Sequence, residues 1–314
     1  MKQAAILCAS GIGDGLLMMI AAHHLKKAGY VPTIFHDNAK VLSSLFENYK
    51  FLPHLPLKWM EKELEVFDSV IVENDNSKRA WHLFDLRDQG KLSHMTVFFP
   101  TPSKKKIKGD YLFNPHLPVA SNLGAACQLV LGTPFSKEND ISLPKGASYR
   151  KYPKRIVIHP TSNDLKRNWT KWKFLKLAAL LEKNGYSPVF CISPDERKQW
   201  ETLDSIEIIS FSNLKDVASY IYESGYLIGN DSGLGHLASN IKIPTLTISG
   251  NPKRVRLWRP DWTYGKVVTP SLPLPNFKGI NLRMRENYWQ RCISVGRVFK
   301  IFLELAGESS CCLL

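Results

Sequence analysis

The sequence predicts a doubly wound α/β protein of two domains, and two observations lead to that prediction. Short runs of β-branched and apolar residues alternate with segments of helical periodicity along the chain. This series also starts twice, because an apolar strand that leads into a Gly-rich or polar turn occurs at 4–10 and again at 155–160. The segment 143–154 is polar and carries Pro, Gly and Lys, so we predict a linker there and domains at 1–150 and 151–314.

The first domain is predicted from its apolar runs and from the helical segments between them. The predicted strands are 4–10, 31–35, 69–74 and 95–100, and the predicted helices are 16–27, 78–87 and 122–131. Glycines between Gly11 and Gly15 predict a tight turn after the first strand, and Gly29 predicts the end of the first helix.

The second domain repeats the pattern. Its predicted strands are 155–160, 187–193, 206–210, 226–231 and 243–250, and its predicted helices are 171–183, 195–203, 213–222 and a short helix from Leu234. Residues 251–280 are rich in Pro, Trp and Arg and are predicted to be loops. A final amphipathic helix at 286–305 is expected to pack back toward the first domain. Ligands of open parallel sheets bind at the carboxyl ends of the strands, so a cleft between the domains is the expected site.

Composition narrows the class of partner. The 314 residues are 44% hydrophobic and 22% charged, as in an ordinary globular protein. A net charge of +14 indicates an anionic partner, which would be a nucleic acid, an anionic membrane or a phosphorylated small molecule. We expect no nucleic acid, because the sequence has no nucleic-acid-binding motif and its basic residues are dispersed. The six cysteines have no C-x-x-C spacing, so neither a zinc site nor a disulfide framework is expected, and a reducing cytoplasm fits.

The ends of the chain and one basic loop bear on membrane contact. The apolar segment 16–22 is far shorter than a membrane span, and no signal peptide is recognised. The last four residues, 311–314, match a prenylation box in form and are interpreted as an unmodified apolar tail. The loop with Lys104, Lys105, Lys106 and Lys108 is either a solvated face or a contact for a phosphorylated acceptor or an anionic bilayer.

The first candidate motif is the turn Gly11-Ile12-Gly13-Asp14-Gly15. It does not complete the dinucleotide pattern G-x-G-x-x-G, which would need glycine where Leu16 stands. Asp14 has two interpretations: a helix cap stabilised by exposed N–H groups, or a general base at the carboxyl end of a strand. Spacing alone favours the cap.

The second motif follows the strand 155–160. Hydroxyls of Thr161 and Ser162 and the cations of Lys166 and Arg167 suit a phosphate or pyrophosphate. A solvated basic loop is the alternative interpretation. His159, in the strand itself, is expected to be a packed and hydrogen-bonded residue.

The third motif, 229–238, is the most specific. Ser232, Gly233 and the following N–H groups are predicted to form an anion site at the start of a short helix. Asp231 would oppose an anion, so it is interpreted as organising the turn or as accepting hydrogen bonds from a sugar. His236 is expected to be structural. Glu196, after the strand 187–193, is a weaker candidate for a ribose contact.

Together these motifs resemble glycosyltransferase family 9, the heptosyltransferase family. The segments that carry the resemblance are Gly11–Asp14, His159–Ser162 with Lys166–Trp169, Asp231–Ala238 with Ile243–Thr245 and Gly250, and Arg291–Ile293. The resemblance implies a GT-B fold of two facing Rossmann-like domains. It also implies an inverting transfer of heptose, from ADP-heptose to a lipopolysaccharide core acceptor, at the cytoplasmic face of the inner membrane. The same scaffold with another sugar donor or acceptor, or with binding but no turnover, remains an alternative.

The resemblance also implies roles for single residues. Asp14 becomes the general base, and Lys166 neutralises the leaving pyrophosphate with help from Thr161 and the N–H groups of Ser232 to Leu234. Glu196 would hold the ribose. The remaining substrate-binding candidates in the matched motifs are Gly13, Ser162, Arg167, Asp231, Gly233 and His236. Counting from His159 selects Lys166 as the phosphate cation and counting back from Trp169 selects Arg167, so both stay open. No metal or other cofactor is obligatory in this mechanism, since side-chain cations and a helix terminus stabilise the charge.

Overall fold

The computed structural model describes residues 1–101, 106–143, 145–162, 164–200, 206–271 and 288–311. The chain divides into two compact units, Met1–Ser142 and Leu143–Leu314. Among these residues each unit contains one six-stranded sheet, and every strand pair within the two sheets is parallel. The predicted α/β class is therefore confirmed.

The sheet of the first unit has the strand order β3-β2-β1-β4-β5-β6. Its strands are β1 (Lys2–Leu7), β2 (Tyr30–Phe35), β3 (Lys50–Leu52), β4 (Ser69–Glu73), β5 (Met95–Phe99) and β6 (Tyr111–Leu112). Its helices are α1 (Ile12–Lys27), α2 (Ala39–Ser43), α3 (Leu57–Glu65), α4 (Lys78–Asp88) and α5 (Val119–Leu131). The strand order reverses between β1 and β4, and in open parallel sheets ligands bind at the carboxyl ends of the strands on either side of such a reversal.

Helix α1 is the core helix of the first unit. Every residue from Gly15 to Leu25 is buried, so this part of the helix lacks the solvent-exposed polar face of a typical surface helix. It packs against α5 and β2, beside the fully buried strand residues Ala4 to Leu7. The prediction of a turn over 11–15 is wrong beyond Gly11, because α1 already begins at Ile12. The side chain of Asp14 closes the first turn by accepting a hydrogen bond from the Gly11 N–H.

The sheet of the second unit has the order β12-β11-β10-β7-β8-β9, which repeats the topology of the first. Its strands are β7 (Tyr152–His159), β8 (Ser187–Cys191), β9 (Ile208–Ile209), β10 (Ser224–Asn230), β11 (Thr245–Ile248) and β12 (Gly265–Val268). Its α-helices are α6 (Lys171–Lys183), α7 (Leu214–Tyr222), α8 (Gly233–Asn240), α9 (Pro252–Trp258) and α10 (Val295–Cys311). Short 3-10 turns cover Leu165–Arg167, Arg197–Gln199 and Trp289–Cys292. The strand order reverses between β7 and β10.

Aromatic packing joins the closing segment of the chain to the core of this unit. Trp169 is buried edge-to-face against Phe174, with 5.1 Å between ring centroids, and its indole N–H donates to the carbonyl of Ile293. The ammonium of Lys173 donates to the same carbonyl at 2.8 Å. Helix α10 then packs on α6 and β12 of its own unit. Its expected return toward the first domain stays a prediction.

Most predicted elements are confirmed, and several elements of the second unit differ from the prediction. Residues 251–280 were predicted to be loops, but α9 and β12 lie within them. Asn251 caps α9 by accepting from the Arg254 N–H, and β12 is a half-exposed edge strand, so neither element carries a strong apolar pattern. The helix predicted at 195–203 is only a 3-10 turn at Arg197–Gln199 among its described residues, and 201–205 lie outside them. The final helix begins at Val295, later than predicted; residues 286 and 287, Lys104, Lys105 and 312–314 also lie outside the described residues.

Candidate functional site

In the first unit, the candidate site is the turn between β1 and α1. Asp14 is half-buried and its Oδ2 accepts a hydrogen bond from the Gly11 N–H at 3.1 Å. Asp14 is not the N-cap residue itself, because Gly11 occupies that position and Asp14 reaches back to it from the first turn. A Cβ atom at Gly11 would lie 2.3 Å from Asp14 Oδ2, so a side chain there would displace the Asp14 carboxylate from this hydrogen bond. Gly13 lies in the same first turn and is half-buried.

One side chain from strand β4 and one from helix α4 hold this turn. Glu73, at the end of β4, is 4% exposed and accepts a hydrogen bond from the Ala9 N–H at 2.8 Å. Arg79 donates to the Cys8 carbonyl at 3.0 Å. Burial raises the pKa of Glu73 well above its ordinary value, and the nearby charge of Asp14 raises it further. Both effects favour the neutral form of the Glu73 carboxyl group, which lies beside the turn that carries Asp14.

Two histidines lie at the same edge of the sheet. His36 Nδ1 accepts from the Asn38 N–H at 2.8 Å, so Nε2 carries the proton and donates to the Gly11 carbonyl at 3.0 Å. Burial lowers the pKa of His36, and burial followed by the charge of Arg79 lowers that of His54 to about 4. Within the part of the chain that the structure describes, neither ring nitrogen of His54 has a hydrogen-bond partner.

Sequence reasoning missed Glu73, His36 and His54 as members of this site. They stand at the ends of β4, β2 and β3, so the rule that parallel sheets bind ligands at their carboxyl ends was the signal that would have found them.

In the second unit, a cavity of about 350 Å³ lies at the carboxyl edge of the sheet. The described residues that line it come from the loop after β7, the turn after β11, helix α9 and the closing segment: Asp164, Lys166, Arg167, Ser249, Gly250, Asn251, Arg254 and Trp289. Three of these side chains are cations, so the cavity is suited to an anionic group.

Both predicted phosphate cations line this cavity. Lys166 and Arg167 lie on one 3-10 turn, whose N-cap residue Asp164 accepts from the Lys166 N–H at 3.0 Å. Lys166 is exposed, whereas Arg167 is half-buried with its Nε 3.8 Å from Asp164 Oδ2. The indole N–H of Trp289 donates to the Lys166 carbonyl at 2.9 Å and fixes the turn from the other side. Both cations therefore stay candidates for the phosphate contact.

The predicted ribose contact and one predicted hydroxyl ligand lie together. Thr161 donates to Glu196 Oε2 at 3.1 Å, and Ser193 donates to the same oxygen at 2.6 Å. Ser162 lies nearby with its hydroxyl 2.7 Å from Asn168 Oδ1. None of the three predicted residues, Thr161, Ser162 or Glu196, is among the described residues that line the cavity.

The predicted anion turn follows β10. Ser232 is the N-cap residue of α8, and Gly233 and Leu234 form its first turn, half-buried. Among the described residues, the buried hydroxyl of Ser232 has no hydrogen-bond partner. Asn230 connects this turn to the loop after β7, since its Oδ1 accepts from the Trp169 N–H and its amide donates to the Pro160 carbonyl.

His236 and Asp231 have different surroundings: His236 packs against an aromatic ring, whereas Asp231 forms an ion pair. His236 is buried, its pKa is lowered to about 4 by burial, and its ring packs edge-to-face on Trp262. A neutral, packed imidazole supports the structural interpretation made from the sequence. Asp231 Oδ2 lies 3.1 Å from Arg254 Nε, so this carboxylate organises the site through an ion pair.

Sequence reasoning also missed Ser249, Asn251, Arg254 and Trp289. A Cβ atom at Gly250 would lie 2.3 Å from Trp289 Cγ, so only glycine lets the indole lie against this turn. The glycine at the end of a predicted strand was the available signal for Gly250, but a contact across about 40 positions of sequence leaves no local pattern.

Comparisons with known proteins agree with this architecture. The model of glycosyltransferase family 9 (heptosyltransferase) matches residues 122–272. Lipopolysaccharide heptosyltransferase 3 of Escherichia coli is 29% identical over 117 residues, which are 34% of this chain and 33% of that protein. The matched part thus spans about a third of the curated relative.

Two solved structures are similar over almost the whole chain. The glycosyl transferase family 9 protein from Veillonella parvula has a TM-score of 0.68 and 16% identity, covering 98% of both chains. The E. coli ADP-heptose lps heptosyltransferase II has a TM-score of 0.67 and 14% identity, covering 99% of this chain and 100% of that one. At these identities the likeness shows the fold, which is the two-domain GT-B architecture.

Proposed function

We propose that this chain is an inverting glycosyltransferase of family 9, the heptosyltransferase family, whose model matches residues 122–272. The donor is a nucleotide-diphosphate sugar, ADP-heptose, and the acceptor is the core of lipopolysaccharide. The observation that carries the proposal is the cationic cavity at the carboxyl edge of the second sheet, because a diphosphate leaving group needs such charge.

The second unit holds the donor. The cation of Lys166 or Arg167 neutralises the pyrophosphate, and the N–H groups of Ser232 to Leu234 at the start of α8 add partial positive charge. Glu196 accepts a ribose hydroxyl. Two hydroxyl donors already bind its Oε2, so the carboxylate is held in one orientation before the nucleotide arrives.

The remaining motif residues have supporting roles in this proposal. Thr161 orients Glu196, and Ser162 orients the loop after β7 through Asn168. Asp231 organises the turn before α8. His236 fills the space behind that turn as a neutral side chain.

Asp14 is the general base. The acceptor hydroxyl gives its proton to the Asp14 carboxylate while its oxygen attacks the anomeric carbon, and the bond to the diphosphate breaks with both electrons leaving on the nucleoside diphosphate. Gly13 leaves room beside the carboxylate for the acceptor. The charge of Asp14 is favoured by its position in the first turn of α1, where the helix dipole stabilises an anion.

The acceptor is an anionic lipid-linked glycan, consistent with a net charge of +14. Within the described residues, no helix has the length and apolarity to cross a bilayer. From the net charge we propose peripheral contact with the cytoplasmic face of the inner membrane, without a partner nucleic acid.

A mass-spectrometric screen tests this function. Purified protein is incubated with ADP-heptose, GDP-sugars or UDP-sugars and with truncated lipopolysaccharide acceptors. We expect one heptose to be added, and only from ADP-heptose. Transfer from another donor alone would contradict the proposed sugar, and tight ADP binding with no transfer to any acceptor would indicate a binding protein instead.

A further inference from the structure

Arg254, one partner of an ion pair at the wall of the donor cavity, has no role in the mechanism so far. Arg254, from α9, lines the cavity, and its Nε lies 3.1 Å from Asp231 Oδ2. Asp231 is nearly buried, with 8% of its side chain exposed, whereas 43% of the Arg254 side chain is exposed. One partner is thus fixed in the fold, and the other is open to the cavity and the solvent.

We propose that Arg254 binds the diphosphate of the donor directly and that Asp231 is its positioning residue. This inference rests on the proposed function. It adds a cation from α9 to the pair on the turn after β7, so positive charge reaches the cavity from two different segments of the chain.

The chemistry of arginine supports this assignment. A guanidinium carries five N–H donors in a planar fork that matches the oxygens of a phosphate. The contact with Asp231 uses the donor on Nε, which leaves the terminal nitrogens as the groups suited to a second anion. The guanidinium also lies 5.7 Å from the ring centroid of Trp258, which restricts its plane from another direction.

Because Asp231 is negatively charged, the direction in which nucleotide affinity changes on its neutralisation tests the proposal. A carboxylate beside a phosphate site repels the ligand, so its neutralisation alone would tighten nucleotide binding. If Asp231 instead acts through Arg254, neutralising it releases the arginine and weakens binding. The two roles therefore predict opposite changes.

The first measurement is the affinity of ADP and adenosine for the full chain by isothermal titration calorimetry. For Arg254→Ala we expect ADP affinity to fall between about 10- and 100-fold, as for loss of a charge-assisted hydrogen bond, with adenosine affinity unchanged. Arg256→Ala is the matched control. Arg256 is an exposed arginine of the same helix that is not among the described residues lining the cavity, so we expect near-wild-type affinity.

The second measurement is a double-mutant cycle. Asp231→Asn should weaken ADP binding in the wild-type background and should not weaken it in the Arg254→Ala background, since the arginine that it positions is then absent. Melting temperatures of all variants report on folding, and unchanged adenosine affinity shows that the rest of the donor site is intact.

The outcomes separate this inference from the function on which it rests. Wild-type protein that binds no ADP would count against the proposed function itself. Wild-type binding with unchanged ADP affinity in Arg254→Ala would overturn the inference alone, and so would tighter ADP binding in Asp231→Asn. Equal losses for ADP and adenosine would likewise overturn it, because they would report a structural defect.

Discussion

Substitution of Asp14 by alanine and by asparagine separates its two roles, as a helix cap and as a base. Its Oδ2 accepts from the Gly11 N–H at 3.1 Å, and the carboxylate lies in the first turn of α1. Alanine removes the acceptor and the charge, so we expect the free energy of unfolding to fall by about 1 kcal/mol. Asparagine keeps an acceptor oxygen, so the expected loss is smaller.

Activity should respond differently. Both variants lack a base, so we expect kcat to fall by about 10²- to 10⁴-fold in each, although their stabilities differ. Donor affinity should be unchanged, because the proposed donor site lies in the second unit. The assay is release of nucleoside diphosphate at saturating donor and acceptor, beside urea unfolding followed by circular dichroism.

Asp68→Asn is the matched control for these variants. Asp68 also accepts a backbone hydrogen bond, from the Gln3 N–H at 2.6 Å, but it lies at the amino end of β4, the opposite edge of the sheet. It should keep wild-type kcat. Near-wild-type turnover in Asp14→Asn would refute the general-base role and leave only the cap.

Three further predictions follow from the two units. Of Lys166→Ala and Arg167→Ala, the variant with the larger loss of ADP affinity in calorimetry identifies the phosphate cation. Unchanged ADP affinity in both variants would contradict binding of the diphosphate by the 3-10 turn Leu165–Arg167. Gly250→Ala places a methyl group 2.3 Å from Trp289 Cγ, so thermal unfolding should show a loss of about 1–3 kcal/mol, and an unchanged melting temperature would contradict the packing. The raised folded-state pKa of Glu73 contributes stability that is full below its ordinary value of 4.5 and is lost as pH rises through the folded-state value. Denaturant unfolding of Glu73→Gln across pH should therefore lack this loss, and an identical pH dependence in both proteins would contradict a protonated Glu73.

Strongly periodic elements were predictable from the sequence. Helix α6 runs from Lys171 to Lys183 as predicted, because apolar spacing marks its buried face and Asn184-Gly185 marks its end. Gly185 adopts φ +79°, which few other residues tolerate. Where pattern and punctuation agree, boundaries are predictable to within a residue or two.

Edge strands and long-range contacts were not predictable in the same way. Strand β12 (Gly265–Val268) is only partly buried, so it lacks the apolar run of a central strand. The pair between Asp231 and Arg254 joins residues 23 positions apart through the fold, and no local spacing encodes it. The motif at 229–238 predicts an anion site at the start of α8, but nothing in that motif points to Arg254, which pairs with Asp231.

The same limit applies to Asp14. Its position in the sequence suggested both a cap and a base, and the structure shows the capping bond without excluding the base. A carboxylate can accept one backbone N–H and still take a proton from substrate, since its two oxygens offer about four acceptor sites.

The anomeric configuration of the product tests the central claim most directly. Direct attack by an acceptor hydroxyl that Asp14 deprotonates inverts the anomeric carbon, so nuclear magnetic resonance of the glycan formed from ADP-heptose should show the configuration opposite to that of the donor. A product that retains the donor's configuration would contradict the mechanism, because retention requires a step that a single base-assisted displacement does not contain.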